Sequence, residues 1–349
     1  MHIREYGESE HTVVVLHGGP GAPGYMAPVA RKLGDSFRVL EPWQRSGGVE
    51  PLTVARHVAD LHALNTSRCR GARPALVGHS WGAMLALAYA ASHPGEATSL
   101  VLVGCGAFDS AALDRMRMIL DGRMDDGLRH RLERLPREFP DPDERLRVLG
   151  SLLLPLYAYE LISTELEVEA CDARAHDETW EDMLRLQEIG AYPAAFAAIN
   201  TPVIMLHGAA DPHPGRMIRA SLEPYLPRLE YREWERCGHY PWLEKADRDE
   251  FFAVLREWLS RQFTSGLRIP AVVSKTGAEE QGVEDRTEGQ GQHGGKGETE
   301  DDAVGHGPPK LAALERERNQ ADDGGDGGHE DGTQPLLGGA NDGILHRPP

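Results

Sequence analysis

The chain has 349 residues, 26% of them charged and 40% hydrophobic, with a formal net charge of −18; that is enough for one sizeable core and an accessory domain. An acidic balance of this size argues against nucleic-acid partners, because phosphate binding needs Lys and Arg. The opening MHIREYGESEHT has no apolar signal region and no stretch reaches transmembrane length, so a cytoplasmic protein without a membrane partner is expected.

The predicted elements begin with the strand TVVVLHG, followed by a helix over MAPVARKLGD that ends near Gly34. Only about ten residues precede this strand, so the start of the sheet looks abbreviated. FRVLEPW reads as the next strand and LTVARHVADLHALN as a helix with apolar residues at helical spacing. RPALVGHS is a third strand, WGAMLALAYAASHP a helix, and ATSLVLVGC a fourth strand. Apolar strands alternating with helices predict an α/β fold, a mostly parallel sheet covered by helices on both faces. The rhythm breaks over 107–195, which is helix-like and rich in Arg, Glu and Leu. It resumes with the strand TPVIMLHGAAD, a helix near GRMIRASLEPYL, the strand LEYREWE and a closing helix over EKADRDEFFAVLREWLSRQF.

The organisation expected is therefore a core of 1–106 and 196–263, a helical insertion over 107–195, and a tail over 264–349. From Gly266 onward there are 8 Lys+Arg against 17 Asp+Glu, 18 of the 39 glycines, and no Phe, Trp or Tyr. Such a composition cannot bury enough apolar surface to offset ordering entropy, so the tail is expected to be disordered. Cys69, Cys105, Cys171 and Cys237 show no C-x-x-C spacing and are expected as reduced thiols.

In open parallel sheets ligands bind beyond the carboxyl ends of the strands, so the loops there carry the functional signal. The loop after the third predicted strand reads GHSWGAML, a G-x-S-x-G at Gly78, Ser80 and Gly82. A serine on a sharp strand-to-helix turn needs small neighbours, and the helix N-terminus behind it favours developing negative charge. Serine also needs a base, and the base an orienting carboxylate. Asp211 falls just beyond a strand in VIMLHGAADPHPG, and His239 falls in the loop ERCGHYPWLEK. Ser80, Asp211 and His239 follow in the chain order expected for this fold.

HGGPG after the first predicted strand can bring backbone N–H groups close to a reacting oxygen. The oxyanion donors expected are the N–H of Trp81 and that of Gly18 or Gly19, with Gly19 favoured. His17 is expected to support that loop by hydrogen bonding and His79 to fill space beside the serine. No H-E-x-x-H or G-x-x-x-x-G-K-[ST] occurs, so neither a metal nor a cofactor is expected.

HGGPG, GHSWGA, HGAAD and GHYPWLE together resemble the α/β-hydrolase superfamily, and within it are most similar to the proline iminopeptidase (prolyl aminopeptidase) branch. The resemblance spans roughly residues 13–263. It implies a Ser-His-Asp triad on Ser80, His239 and Asp211, and a helical cap over the active site formed by the insertion. It also implies acidic cap groups that hold a substrate's free amino terminus, with Glu160, Glu165, Glu167 and Glu169 as candidates. Where that branch usually has an Asp-Gln-Arg-Gly segment, this chain has EPWQRSGG, keeping Gln44 and Arg45.

The function expected is a serine hydrolase that forms an acyl-enzyme and cleaves a small ester or amide, an N-terminal prolyl peptide bond among them. A carboxylesterase, a lactonase or a carbon–carbon bond hydrolase would use the same triad. A non-catalytic ligand-binding member of the fold and an interaction protein acting through its tail are the readings from other classes. The partner expected is a small-molecule or short-peptide substrate.

Overall fold

Along the central strands, consecutive side chains enter opposite layers, which explains why the strands read as unbroken apolar runs. Val13 and Val15 pack into one layer while Val14 and Leu16 pack into the other. The structure, a computed structural model, describes residues 1–164 and 166–266. Its sheet is built from β1 (Ile3–Tyr6), β2 (Thr12–Leu16), β3 (Arg38–Pro42), β4 (Ala75–His79), β5 (Ser99–Val103), β6 (Val203–Gly208) and β7 (Leu229–Trp234). They lie in the order β1-β3-β2-β4-β5-β6-β7. All neighbours run parallel except β1, which pairs antiparallel with β3, Ile3 opposite Pro42.

A single short strand, β1, precedes β2. It is four residues long, sits at the edge and buries no side chain fully, so it lacks the apolar run that marks the inner strands.

Helices α1 (Ala27–Leu33) and α9 (Arg248–Gly266) cover one face through Val29, Leu33, Phe251, Leu255 and Leu259. Helices α2 (Val54–Arg68), α3 (Trp81–Ser92) and α8 (Gly215–Leu222) cover the other. Helix α3 is buried at every position from Trp81 to Ala91. Its run of Ala, Leu and Gly suits that position, because small side chains let it lie close to the sheet. The first turn of α9 starts later than the sequence pattern suggests, since Glu244 is drawn into the hydrogen bonds described below.

The stretch 107–195 holds α4 (Ser110–Arg123), α5 (Asp126–Glu138), α6 (Pro142–Leu153) and α7 (Ala173–Glu188). Asp109, Asp125, Asp141 and Asp172 cap their N-termini by accepting backbone N–H bonds. Met116, Leu120 and Leu156 form a small apolar cluster of their own, separate from the two layers. The four cysteines are free, and Cys171 alone is only half-buried. The tail lies outside the described residues, apart from the end of α9. Among the described residues no helix is long and apolar enough to cross a membrane.

Candidate active site

Every predicted site residue of the core lies just past the carboxyl end of a strand, His17 to Gly19 after β2, Ser80 after β4, Asp211 after β6 and His239 after β7. Ser80 is held at φ 54° and ψ −119°, a conformation that costs a non-glycine residue roughly 1–3 kcal/mol. The surrounding backbone enforces it. A Cβ on Gly78 would lie 2.2 Å from the Gly82 carbonyl oxygen, and one on Gly82 2.3 Å from that of Leu16. Strand β4, helix α3 and strand β2 therefore meet only with glycine at both places, and Ser80 takes the bend between them.

The His239 Nδ1–H donates to Asp211 Oδ2 at 2.7 Å. Asp211 is completely enclosed and accepts two further hydrogen bonds, while the His207 Nε2–H beside it donates to the His213 carbonyl. Its Oδ1 takes the His213 backbone N–H at 2.9 Å and the His213 Nδ1–H at 3.0 Å, and its Oδ2 also faces His207 Nε2 at 3.2 Å. Burial pushes its acidity the other way, but the three imidazoles hold the carboxyl well below the usual range. Hydrogen bonds on both oxygens hold the carboxylate in place, which fixes the His239 ring. Burial lowers the His239 imidazole below its ordinary value, more than the Asp211 charge raises it. Asp211, His213 and His239 are the group of potential metal ligands that comes within 4.8 Å among the described residues. Hydrogen bonds from nitrogen to the carboxylate account for that proximity.

A second set of hydrogen bonds links the three loops. Tyr25 is buried; its hydroxyl accepts from the Gly18 N–H at 2.6 Å and donates to His79 Nδ1 at 2.7 Å. The other His79 nitrogen, Nε2–H, donates to the His239 carbonyl at 2.9 Å. A carbonyl only accepts, so the direction of the whole chain follows. His79 does more than fill space beside the serine. The same bonds bear on the oxyanion candidates, because the Gly18 N–H is already given to Tyr25. A Cβ on Gly18 would meet Ser80 Cβ at 2.6 Å, so that glycine is there for close approach. Gly19, at φ +48°, and Trp81 line the cavity beside Ser80, and among the described residues neither backbone N–H is given to a backbone acceptor.

His17 Nδ1–H donates to the Gly18 carbonyl at 3.0 Å, and its Nε2 accepts from the Gln44 N–H at 3.1 Å. The Gln44 side chain then bridges the two loops, donating to the His17 carbonyl at 2.7 Å and accepting the Trp81 indole N–H at 2.7 Å. Burial keeps His17 neutral, its acidity drawn down to about 4. Sequence reasoning noted Gln44 only as a retained motif position, and it missed Glu244 altogether. That buried carboxylate accepts the backbone N–H groups of Tyr159, Glu160 and Gly238 at 2.7 to 2.9 Å. It thereby ties the 157–162 stretch to the loop of His239, whose own N–H donates to the Tyr157 carbonyl at 2.7 Å.

A cavity of about 270 Å³ opens above Ser80 and His239. Leu146, Leu149, Leu153 and Leu154 of α6 and its end, with Leu166, Val168 and Trp180, make most of its wall apolar. Among the described residues Arg147 is the one Lys, Arg, Asp or Glu side chain that lines it. Of the acidic candidates, Glu160, Glu167 and Glu169 are not on this wall. Glu160 is exposed and paired with Lys245 at 2.9 Å, which corrects its expected place at the substrate. Glu167 pairs with Arg31 and Glu169 reaches Arg4 at 3.5 Å; these pairs fasten the stretch to the core surface. Glu165 lies outside the described residues.

A family model described as the alpha/beta hydrolase family matches residues 13–254. The chain is 32% identical to a proline iminopeptidase of Arabidopsis thaliana over 188 residues, 50% of this chain and 45% of that protein, so it spans under half of that relative's length. It is 27% identical to the proline iminopeptidase of Lactobacillus helveticus over 71% of this chain and 90% of that one. Among solved structures, an esterase from Exiguobacterium antarcticum superposes with a TM-score of 0.53 at 17% identity, over 74% of this chain and 94% of the other. With the sheet order, the bend at Ser80 and the loops at the strand ends already described, the match identifies the chain as a member of the alpha/beta hydrolase family.

Proposed function

We propose that the chain is a serine hydrolase acting on small carboxylic esters through an acyl-enzyme on Ser80. The observation that carries this reading is the 2.7 Å bond from His239 Nδ1 to a fully buried Asp211, on a ring that shares its cavity with Ser80. Ser80 Oγ attacks the carbonyl carbon while His239 Nε2 takes its proton and Asp211 holds the imidazole. The carbonyl oxygen, now an anion, lies against the N–H groups of Gly19 and Trp81, each worth on the order of 10²–10³ in rate. His239 returns its proton to the departing alcohol, and a water activated by the same ring then releases the acid.

The 107–195 segment serves in this reading as a cap whose leucines receive the acyl chain. Cleavage of an N-terminal prolyl bond is the second reading, favoured by the two relatives above. It needs an acceptor for a cationic amine, and the described wall supplies Arg147 and no carboxylate.

The test compares the wild type and Ser80→Ala on p-nitrophenyl butanoate and on proline p-nitroanilide. The ester is expected to be cleaved and the anilide left, with the ester rate falling by on the order of 10³ or more in Ser80→Ala. Faster Ser80-dependent release from the prolyl anilide would move the assignment to the aminopeptidase. Ester cleavage that survives Ser80→Ala would remove Ser80 from the chemistry.

A further inference from the structure

One polar ring on the cavity wall has no part in the chemistry above. His213 stands two residues past Asp211, is 6% exposed and lines the cavity. Its Nδ1 and backbone N–H both go to Asp211 Oδ1, while His239 Nδ1 goes to Oδ2 of the same carboxylate. An ionised carboxylate only accepts, so Nδ1 carries the proton in both rings. In the neutral form His213 Nε2 is then left with a lone pair. Among the described residues nothing donates to that atom, and it is not one of the polar atoms sealed without a partner.

The two rings stack, with centroids 4.6 Å apart and planes 18° from parallel. Each has its Nδ1 on the same carboxylate, and both rings line the cavity that holds Ser80. His239 Nε2 has to reach the leaving atom in order to protonate it. A leaving group that departs beside His239 is therefore next to the stacked His213 ring in the same cavity.

We infer that His213 is a specificity residue that accepts a hydrogen bond from a hydroxyl or N–H carried on the leaving group, close to the departing oxygen. This rests on the Ser80 hydrolase reading. The substrate class it selects is a monoacylated diol, polyol or amino alcohol, with the acyl chain among the leucines of α6. A purely structural role, in which His213 only steadies Asp211, would depress every substrate alike and would not distinguish leaving groups.

The test uses two esters of one acid, 2-hydroxyethyl butanoate and 2-methoxyethyl butanoate, with acid release followed at pH 8. The wild type is expected to favour the hydroxyethyl ester by about tenfold in kcat/KM, the weight of one net hydrogen bond. In His213→Phe the two rates should come within about twofold of each other. In His213→Gln, which keeps an acceptor, part of the preference should return. A wild type that cleaves both esters equally overturns the inference, whether or not the variants fold. So does a preference that persists undiminished in His213→Phe. If the wild type cleaves neither ester, or cleavage survives Ser80→Ala, the hydrolase reading itself falls and this inference goes with it.

Discussion

The His79 ring joins Ser80 to His239: it is the residue before Ser80, and its Nε2–H donates to the His239 carbonyl at 2.9 Å. On its other side it accepts from Tyr25, which in turn accepts from Gly18. One directed chain of hydrogen bonds thus fixes the loop of Gly18, the bend at Ser80 and the loop of His239 relative to one another. All four members are buried, so each bond lost leaves a polar group without water to replace its partner.

Tyr25→Phe removes the middle of that chain at nearly constant shape. The Gly18 N–H loses its acceptor and His79 Nδ1 its donor, which should destabilise the protein by about 1–3 kcal/mol. The melting temperature is expected to fall by roughly 3–10 °C. Hydrolysis should slow by on the order of tenfold, in kcat more than in KM, because the parts are misplaced rather than the substrate contacts removed. Unchanged melting and unchanged kcat would show that the three loops hold their places without Tyr25.

Gln44 performs the corresponding task on the other side of the His17–Gly19 loop, between the His17 carbonyl and the Trp81 indole. Gln44→Leu keeps the volume and deletes both bonds. A fall in kcat of about 10- to 100-fold is expected, since displacements near 1 Å carry that weight. Labelling of Ser80 by a fluorophosphonate, which also passes through an oxyanion, should slow in parallel. Full-speed labelling with slow turnover would place the effect of Gln44 elsewhere, in release or in substrate fit.

The inner strands were legible because both faces of the sheet are covered, which leaves unbroken runs such as VVVL and LVLV. Ser80, Asp211 and His239 stood out because each falls in a short motif at a strand end. What stayed hidden has little local signature. Strand β1 has four residues and an edge position. Glu244 reads as the polar start of a helix until three backbone N–H groups from distant stretches converge on it. His213 is one histidine among sixteen until its ring is found stacked on His239. The partners of Glu160, Glu167 and Glu169 stayed hidden for a related reason, because a run of glutamates does not reveal which cations will meet it. Lys245, Arg31 and Arg4 lie 85, 136 and 165 positions away in the chain.

The pH profile follows from the same burial. In the proposed mechanism His239 must be neutral to accept the serine proton, and burial holds its pKa below the ordinary imidazole value of about 6.5. The rise of kcat/KM with pH should therefore have its midpoint below about 6.5, so activity extends further into acid than for an unperturbed imidazole. Asp211→Asn removes the charge that raises the His239 value, so the midpoint should move lower still, while kcat drops by on the order of 10³–10⁴ because the ring loses its orienting acceptor. Stability limits how far the profile can be followed. Burial draws His17 and His57 each down to about 4, whereas the unfolded chain takes up those protons near 6.5. Their contribution is complete above about pH 6.5 and falls between 6.5 and 4, by up to about 1.4 kcal/mol per pH unit for each ring. Denaturant midpoints measured across that window should fall as the pH falls. A flat stability curve with an activity midpoint at or above 6.5 would mean that these rings are hydrated in solution, and the enclosed site described above would have to be more open.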